Sequence, residues 1–228
     1  MTNNILLCLN NFRHLSNWEI QDLKNLDIFS NLPTIETERI LLRKMSLKDA
    51  KDMFEYAQDS QVSKYTGWYT HNSIQDTKLF LQYTINNYKN NEVSNWGIVH
   101  KADQKLIGTA GFIDWNIEDA RAEIGYTLSR KYWGKGYMTE VVNAIIYFGF
   151  RTMMLNRIEA RCVIENIASA RVMEKVGMKY EGILRECMFI KGKYRDLKIY
   201  SILKEEFTAK KYNSPIKIST RVCGFHPF

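Results

Sequence analysis

Apolar and polar positions mark out a dense run of elements between about residues 38 and 203. Glu38 to Lys44 (ERILLRK) alternates as a strand, and Ser46, with an acid at Asp49 three residues later, opens a helix through about Gln58. Ser73 is placed to cap a second helix, with Asp76 in its first turn and Leu79, Phe80, Tyr83 and Tyr88 as its apolar stripe. Trp96 to His100 and Leu106 to Trp115 flank the polar turn at residues 101–105 as a hairpin, and Ala122 to Ser129 forms a third strand. A glycine-bearing turn leads into a long apolar helix, Thr139 to Met153. Arg157 to Ile164 then alternates as a strand, and Ala168 to Val176 is a short helix closed by Gly177. Two late strands run from about Tyr180 to Ile190 and from Tyr194 to Leu203. The pattern is α+β with a strand-helix-strand crossover in the middle.

The character of the chain changes at Leu32-Pro33-Thr34 and again after Phe207, which delimits a domain at residues 34–207. The N-terminal extension, residues 1–33, holds Trp18, Ile20, Leu23, Leu26 and Phe29 at near-helical spacing, as a docking helix or one packed on the domain. The C-terminal tail, 208–228, carries Lys210, Lys211, Lys217 and Arg221 with no acid and reads as flexible.

Composition narrows the classes. With 228 residues and only 3 prolines and 12 glycines, the chain is neither linker-dominated nor collagen-like. Cys8, Cys162, Cys187 and Cys223 show no paired spacing, so a reducing compartment is the simpler reading. The four histidines form no ligand cluster, and no structural metal is expected. The apolar run Ile5 to Leu9 is too short for a signal peptide and no run is long enough to span a membrane, which leaves the cytoplasm as the expected location. The net charge of +7 falls on the domain and its tail, which suits a phosphate-bearing small molecule better than a duplex, so direct nucleic-acid binding is not expected.

The stretch from Glu123 to Glu140, EIGYTLSRKYWGKGYMTE, is where chemistry concentrates. A strand runs into the loop Trp133-Gly134-Lys135-Gly136 and then a helix, whose first amides lack internal partners and favour an anion. The loop is not a Walker A motif and lacks the three-glycine dinucleotide fingerprint. Taken alone it serves equally as an anion cradle or as a plain helix-entry turn.

The order of motifs says more. This strand, loop and helix, followed by Asn166-Ile167-Ala168-Ser169 and Glu174-Lys175-Val176-Gly177-Met178, resembles the GNAT N-acetyltransferase superfamily, and within it the branch of ribosomal-protein N-terminal acetyltransferases. The opening Glu36-Thr37-Glu38-Arg39-Ile40-Leu41-Leu42-Arg43 and the closing Tyr194-Arg195-Asp196 match as well, so the resemblance covers about residues 33 to 207. It implies a mixed, mostly antiparallel sheet splayed in the middle, helices on both faces, and acetyl-CoA wedged into the opening. The family's loop pattern falls on Trp133, Gly134, Lys135, Gly136, Tyr137 and Met138, whose amides would hold the CoA pyrophosphate. Trp133 replaces the usual Gln or Arg, and Met138 replaces a small residue and is expected to crowd the end of the loop. By the same resemblance Tyr126, Thr127 and Leu128 would pair with the pantetheine arm, Asn166 and Ser169 would lie near the thioester, and Arg171 would reach the nucleotide end.

Acetyl transfer to an amine needs a neutral nucleophile, a donor to the developing oxyanion and a proton for the leaving thiolate. An α-amine, with a pKa of about 7.7 to 8.0, is roughly one-tenth neutral at pH 7, far more than a lysine at about 10.4. Glu123 is the candidate base, acting through a water, and its other reading is a salt bridge to Arg121 or Arg161. The tyrosine that many GNAT enzymes place seven residues after the asparagine is Met173 here, so Ser169 becomes the candidate acid, its other reading being a helix cap. A backbone amide around Tyr126 or Thr127 is the expected oxyanion donor, and Trp68, Tyr69, Trp115 and Tyr132 are candidates for lining an acceptor cleft. The reading is an acetyl-CoA-dependent acetyltransferase for a protein N-terminal amine, such as that of a ribosomal protein. Acetylation of a polyamine or antibiotic amine, and a non-catalytic acyl-CoA-binding module, remain as alternatives, and the oligomeric state is open, with a homodimer among the options.

Overall fold

The computed structural model describes residues 27–207 and 216–219. The strands are β1 (Thr34–Glu36), β2 (Ile40–Arg43), β3 (Asn95–His100), β4 (Lys105–Asn116), β5 (Arg121–Leu128), β6 (Arg157–Val163), β7 (Lys179–Ile190), β8 (Lys193–Leu203) and β9 (Lys217–Ser219). The helices are α1 (Ala50–Ala57), α2 (Ser60–Ser63), α3 (Ile74–Lys89), α4 (Tyr137–Arg151) and α5 (Ile167–Lys175). The strands form one sheet in the order β7-β8-β6-β5-β4-β3-β2-β1-β9, giving the expected α+β class.

Every described pairing is antiparallel except β5 with β6. That parallel pair is joined only at Arg121↔Arg157, Ala122↔Ile158 and Glu123↔Glu159. Beyond Glu123 the two strands part, although β5, past a register shift at Phe112/Asp114, stays paired with β4 to Gly108↔Leu128 and β6 stays in register with β8 to Val163↔Leu197. The sheet is therefore splayed at its centre, and the edge of β5 from Ile124 to Leu128 faces a gap.

Side-chain alternation gives this gap two faces. Ala122, Ile124 and Leu128 of β5 join the main core with Val141, Val142, Ile145 and Phe148 of α4 and Met173 of α5. On the other face Leu106 packs with Met53, Tyr56 and Ala57 of α1 and Leu81 of α3. Trp96 is fully buried in the main core, edge-on to Phe148 at 5.3 Å, and its indole N–H donates to the Pro33 carbonyl at 2.7 Å.

Local chemistry sets the helix ends. The Ser73 hydroxyl accepts from the Asp76 amide while the Asp76 carboxylate accepts from the Ser73 amide, so α3 begins at a reciprocal capping box. Gly177, at φ 90°, ends α5: its amide donates to the Glu174 carbonyl and that of Met178 to the Met173 carbonyl, the bonding of a Schellman turn. Ser46 opens a single 3-10 turn, Leu47–Asp49, before the regular helix begins at Ala50.

Three expectations are revised. Leu79 and Tyr83 do not line the buried stripe of α3; they are exposed, and Thr77, Leu81, Thr84 and Tyr88 face inward, because α3 packs with α1 over Leu106 along that side. Ordered structure also begins before Thr34. Ile28, Phe29 and Leu32 are buried in the main core, and the Phe29 and Ser30 amides both donate to Asn91 Oδ1, at 2.9 and 3.1 Å. Within the basic tail, Lys217–Ser219 pairs with β1, where Ile216 and Ile218 supply the apolar contacts. The expected helix around Trp18 to Leu26 lies outside the described residues, as do Lys210, Lys211 and Arg221.

Candidate active site

The glycine loop leaves β5 through a short 3-10 turn and enters α4 at Gly136. Gly134 and Gly136 sit at φ 75° and 80°, a region that L side chains avoid. A Cβ on Gly134 would meet no atom within 4 Å, and one on Gly136 would meet only Arg39 Nη2, at 3.7 Å, so the loop is open to an approaching group. No side chain caps α4, which leaves the amides of its first turn for an anion. Two cations stand by. Lys135 Nζ lies 5.6 Å from the centre of the Tyr132 ring, and the Arg39 guanidinium lies over Tyr137 and donates to the Lys135 carbonyl at 3.1 Å.

The loop is held at both ends. Trp133, though exposed at its ring, donates its indole N–H to the Leu128 carbonyl at 2.7 Å. Tyr132 donates to Asp103 at 2.5 Å, and His100 Nε2 pairs with Tyr137 Oη at 3.0 Å. Met138 does not crowd the loop: its side chain is buried in the main core, because the second position of α4 faces the sheet.

Across the gap, Tyr126 reaches from β5 to α5. Its phenol pairs with Ser169 Oγ at 2.9 Å and donates to the Ser169 carbonyl at 3.2 Å. Burial pushes the Tyr126 phenol above its ordinary range, so it stays protonated. Asn166, not Ser169, caps α5: its Oδ1 accepts from the Ser169 amide at 3.2 Å, which leaves the serine hydroxyl for Tyr126. Arg171 stands exposed on α5.

Glu123 occupies the opposite face, at the last paired position before the gap. Its carboxylate is bound by Arg161 of β6, the second of the two salt bridges weighed from the sequence, whereas Arg121 turns to Glu159 at 3.5 Å. Burial raises the Glu123 carboxyl and outweighs the opposing pull of Arg161.

On this same face the segment 58–72 crosses the gap. Asp59 accepts from Arg130, just beyond β5, at 2.6 Å. Farther along, Lys191 donates to the Ser63 carbonyl and Tyr65 packs on Val163, Ile190 and Leu197, at the far side of the opening. The strap then returns, with the His71 amide donating to the Ala57 carbonyl at 3.1 Å. Beneath it a small cavity of about 20 Å³ is lined by Tyr56, Trp68, His71, Thr109 and Thr127, among others. Of the aromatics considered for an acceptor cleft, Trp68 lines this cavity, Trp115 packs on Phe29, Tyr132 serves the loop, and Tyr69 is exposed.

Comparison with known proteins settles the family. Residues 39–179 match the model of the acetyltransferase (GNAT) domain, well over half of the chain. The chain belongs to the GNAT acetyltransferase family. The N-acetyltransferase p20 of Bacillus licheniformis is 35% identical over 176 residues, covering 77% of this chain and 99% of its own length. A crystal structure of a GNAT-family acetyltransferase from Bacillus anthracis matches with a TM-score of 0.68 at 34% identity, over 76% of this chain and 99% of that one. The "Putative ribosomal N-acetyltransferase YdaF" of Bacillus subtilis (strain 168) is 31% identical over 109 residues, 48% of this chain and 60% of its own.

The acetyltransferase uses acetyl-CoA, and its residues fit that molecule. An open glycine loop, an uncapped helix start, and Arg39 and Lys135 together suit a pyrophosphate, and the unpaired edge of β5 suits the amides of a pantetheine arm. Arg39 was not marked by the sequence as a site residue, since its place beside the loop depends on a contact 96 residues away. His71, which lines the cavity, likewise carries no pattern in the sequence, being one histidine two residues before a helix cap. Among the described residues, no helix is long and apolar enough to cross a membrane.

Proposed function

We propose that this acetyltransferase modifies a protein N-terminal α-amine, as in the ribosomal-protein branch of its family. The observation that carries the reading is the surface beneath the strap beside Thr127 of β5: Met53, Tyr56, Ala57, Trp68, His71, Phe80 and Thr109 meet there around a water-sized cavity and bring no carboxylate to it. A polyamine or aminoglycoside carries several positive charges and is best held by acids, whereas an N-terminal amine beside a small or apolar side chain needs none. The name of the relative YdaF points the same way. An α-amine also needs only modest help to lose its proton, about one in ten being neutral at pH 7.

In this reading the amides of Trp133, Gly134, Lys135, Gly136, Tyr137 and Met138 hold the pyrophosphate, and β5 aligns the pantetheine along Tyr126, Thr127 and Leu128. Bound acetyl-CoA supplies a thioester whose carbonyl carbon an amine can attack. A β5 amide at Tyr126 or Thr127 donates to the carbonyl oxygen as charge develops on it. Ser169, freed from capping by Asn166 and oriented by Tyr126, gives a proton to the departing sulfur. In the same reading Arg171, exposed on α5, reaches the nucleotide end. Glu123, bound to Arg161, sets the charge where the gap begins.

The test is product mass after incubation with acetyl-CoA and either peptides bearing free Ser or Ala N-termini or a panel of polyamines and aminoglycosides. Peptides gaining one acetyl group at the N-terminus is the expected result. Turnover confined to the small amines would overturn the reading.

A further inference from the structure

We propose that His71 takes the proton of the acceptor amine, through a water held in the cavity between its imidazole and Thr127. The inference deepens the reading above, and rests on the amine arriving on the strap side of β5.

Three features of the chain meet at this point. The first is position. Glu123 and Thr127 share a face of β5, and the expected oxyanion donors at Tyr126 or Thr127 lie beside the second of them and about 10–13 Å along the strand from the first. Glu123 is also bound by Arg161, so its carboxylate is committed at the closed end of the gap. The second is the cavity itself. At about 20 Å³ it has the room of a single water molecule. Thr109 and Thr127, paired across β4 and β5, give it polar walls beside His71. The third is the ring's orientation. His71 Nδ1 pairs with the fully buried Thr77 Oγ1 at 2.8 Å, and the ring is tilted against Trp68 with 5.4 Å between centres. In the proposed Nδ1–H tautomer Thr77 Oγ1 accepts from Nδ1, and Nε2 is the accepting atom.

The charged and titratable groups around the ring suit the task. Asp76, at the start of α3, is itself bound by the Asn72 and Ser73 amides and acts on the ring only through space. Tyr56 of α1, whose phenol pairs with Thr109, is held protonated by its burial. Burial lowers the His71 pKa from its ordinary value, and Asp76 opposes that only in part, so the ring is neutral and able to accept at neutral pH.

The proton balance closes. As the amine nitrogen bonds to the thioester carbon, its proton passes to the water, and a water proton passes to Nε2. As the carbon–sulfur bond breaks, sulfur takes the proton of Ser169. The imidazolium returns its proton to solvent at the partly exposed edge of the ring, and the Ser169 hydroxyl regains its proton from solvent as the products leave the gap, so one proton is released and one taken up per turnover.

The experiment uses the full chain with whichever amine the parent acetylates, so failure of the peptide acceptor is scored separately from failure of this inference. Nitrogen NMR of the 15N-labelled imidazoles, assigned by loss of one ring's signals in His71→Gln, is expected to show His71 in the Nδ1–H tautomer. His71→Gln is expected to lower kcat about 100-fold with acetyl-CoA affinity unchanged, and added imidazole to restore turnover in His71→Ala. Thr77→Val keeps the ring while releasing its anchor, and is expected to lower kcat and redistribute the tautomers even if the His71 variants fold poorly. An Nε2–H tautomer in the parent, undiminished kcat in folded His71→Gln, or loss of turnover in Glu123→Gln with none in His71→Gln would overturn the proposal.

Discussion

Glu140 fastens Arg39 to the first turn of α4. Its Oε1 accepts from the Arg39 amide at 2.9 Å and from the Thr37 hydroxyl at 2.6 Å, and its Oε2 accepts from Arg39 Nε at 2.7 Å. Since Arg39 also donates to the Lys135 carbonyl, one carboxylate couples the β1–β2 turn to the glycine loop. Burial works against its charge, but the bonds from Thr37 and Arg39 prevail and hold the carboxyl below its ordinary value of 4.5. A depressed folded pKa contributes stability that is full above the unfolded value and is lost as pH falls through the folded one. Glu140→Gln is therefore expected to cost about 2 kcal/mol near neutrality, and the deficit to shrink in the acid range below 4.5. Urea unfolding of parent and variant across that range measures it.

The cradle predicts a separable effect on stability and binding. Gly136 is in the left-handed region with only the tip of Arg39 near its missing Cβ, so Gly136→Ala meets backbone strain rather than a clash. A loss of about 1–2 kcal/mol is expected from that strain, read as a lower unfolding midpoint. The doubly substituted Gly134→Glu, Gly136→Glu chain adds negative charge where the pyrophosphate would sit. Calorimetric titration is expected to show no acetyl-CoA binding by the folded variant, and affinity equal to the parent's would refute the placement.

The Arg161–Glu123 pair makes a prediction from a pKa shift of opposite direction. Removing the guanidinium in Arg161→Met leaves a carboxylate of low exposure with no cation, and breaking such a pair costs about 3 kcal/mol. Glu123 is already raised by burial, and the substitution raises it further. A raised carboxyl stabilises the fold below its unfolded pKa, and that contribution is lost as pH rises through the folded value. The variant is therefore expected to fall furthest behind the parent at neutral pH and to recover as pH falls toward the ordinary carboxyl value of 4.5, the same sense as Glu140→Gln although the underlying shift is opposite. A deficit independent of pH would refute the account.

Most of the sheet was legible because its strands obey simple alternation and its turns carry recognisable residues. Ser73 and Asp76 mark the start of α3 and Gly177 marks the end of α5, each through local bonds that sequence alone implies. What was not legible depends on long-range contacts. The stripe of α3 was misjudged because Leu79 and Tyr83 look apolar while Thr77 and Thr84 do not, yet packing over Leu106 selects the threonines. β9 is only three residues long and exists through its pairing with β1, far away in the chain. At the site, the loop's residues were readable from their order, whereas Arg39, His71 and the phenol of Tyr126 gain meaning only from what the fold brings beside them.

Tyr126 and Ser169 yield the sharpest kinetic expectation. A serine hydroxyl at the third position of a helix has a ready alternative role as a cap, but Asn166 fills that role, and the Ser169 hydroxyl instead faces a phenol held protonated by burial. Met173, fully buried, stands where a tyrosine acid would come from α5, so the phenol nearest this serine comes from β5. If Ser169 supplies the proton that sulfur takes on leaving, Ser169→Ala removes an interaction made only in the transition state. It should lower kcat and kcat/KM together, by about 100-fold. Tyr126→Phe keeps the ring and its packing, so acetyl-CoA affinity should hold while kcat falls by a smaller factor, because the serine loses its orienting partner rather than its proton. The two losses should fail to add in the double variant, since both act through one hydroxyl. Steady-state kinetics of the parent, the two single variants and the double variant measure all four terms, and fully additive losses would separate the two residues.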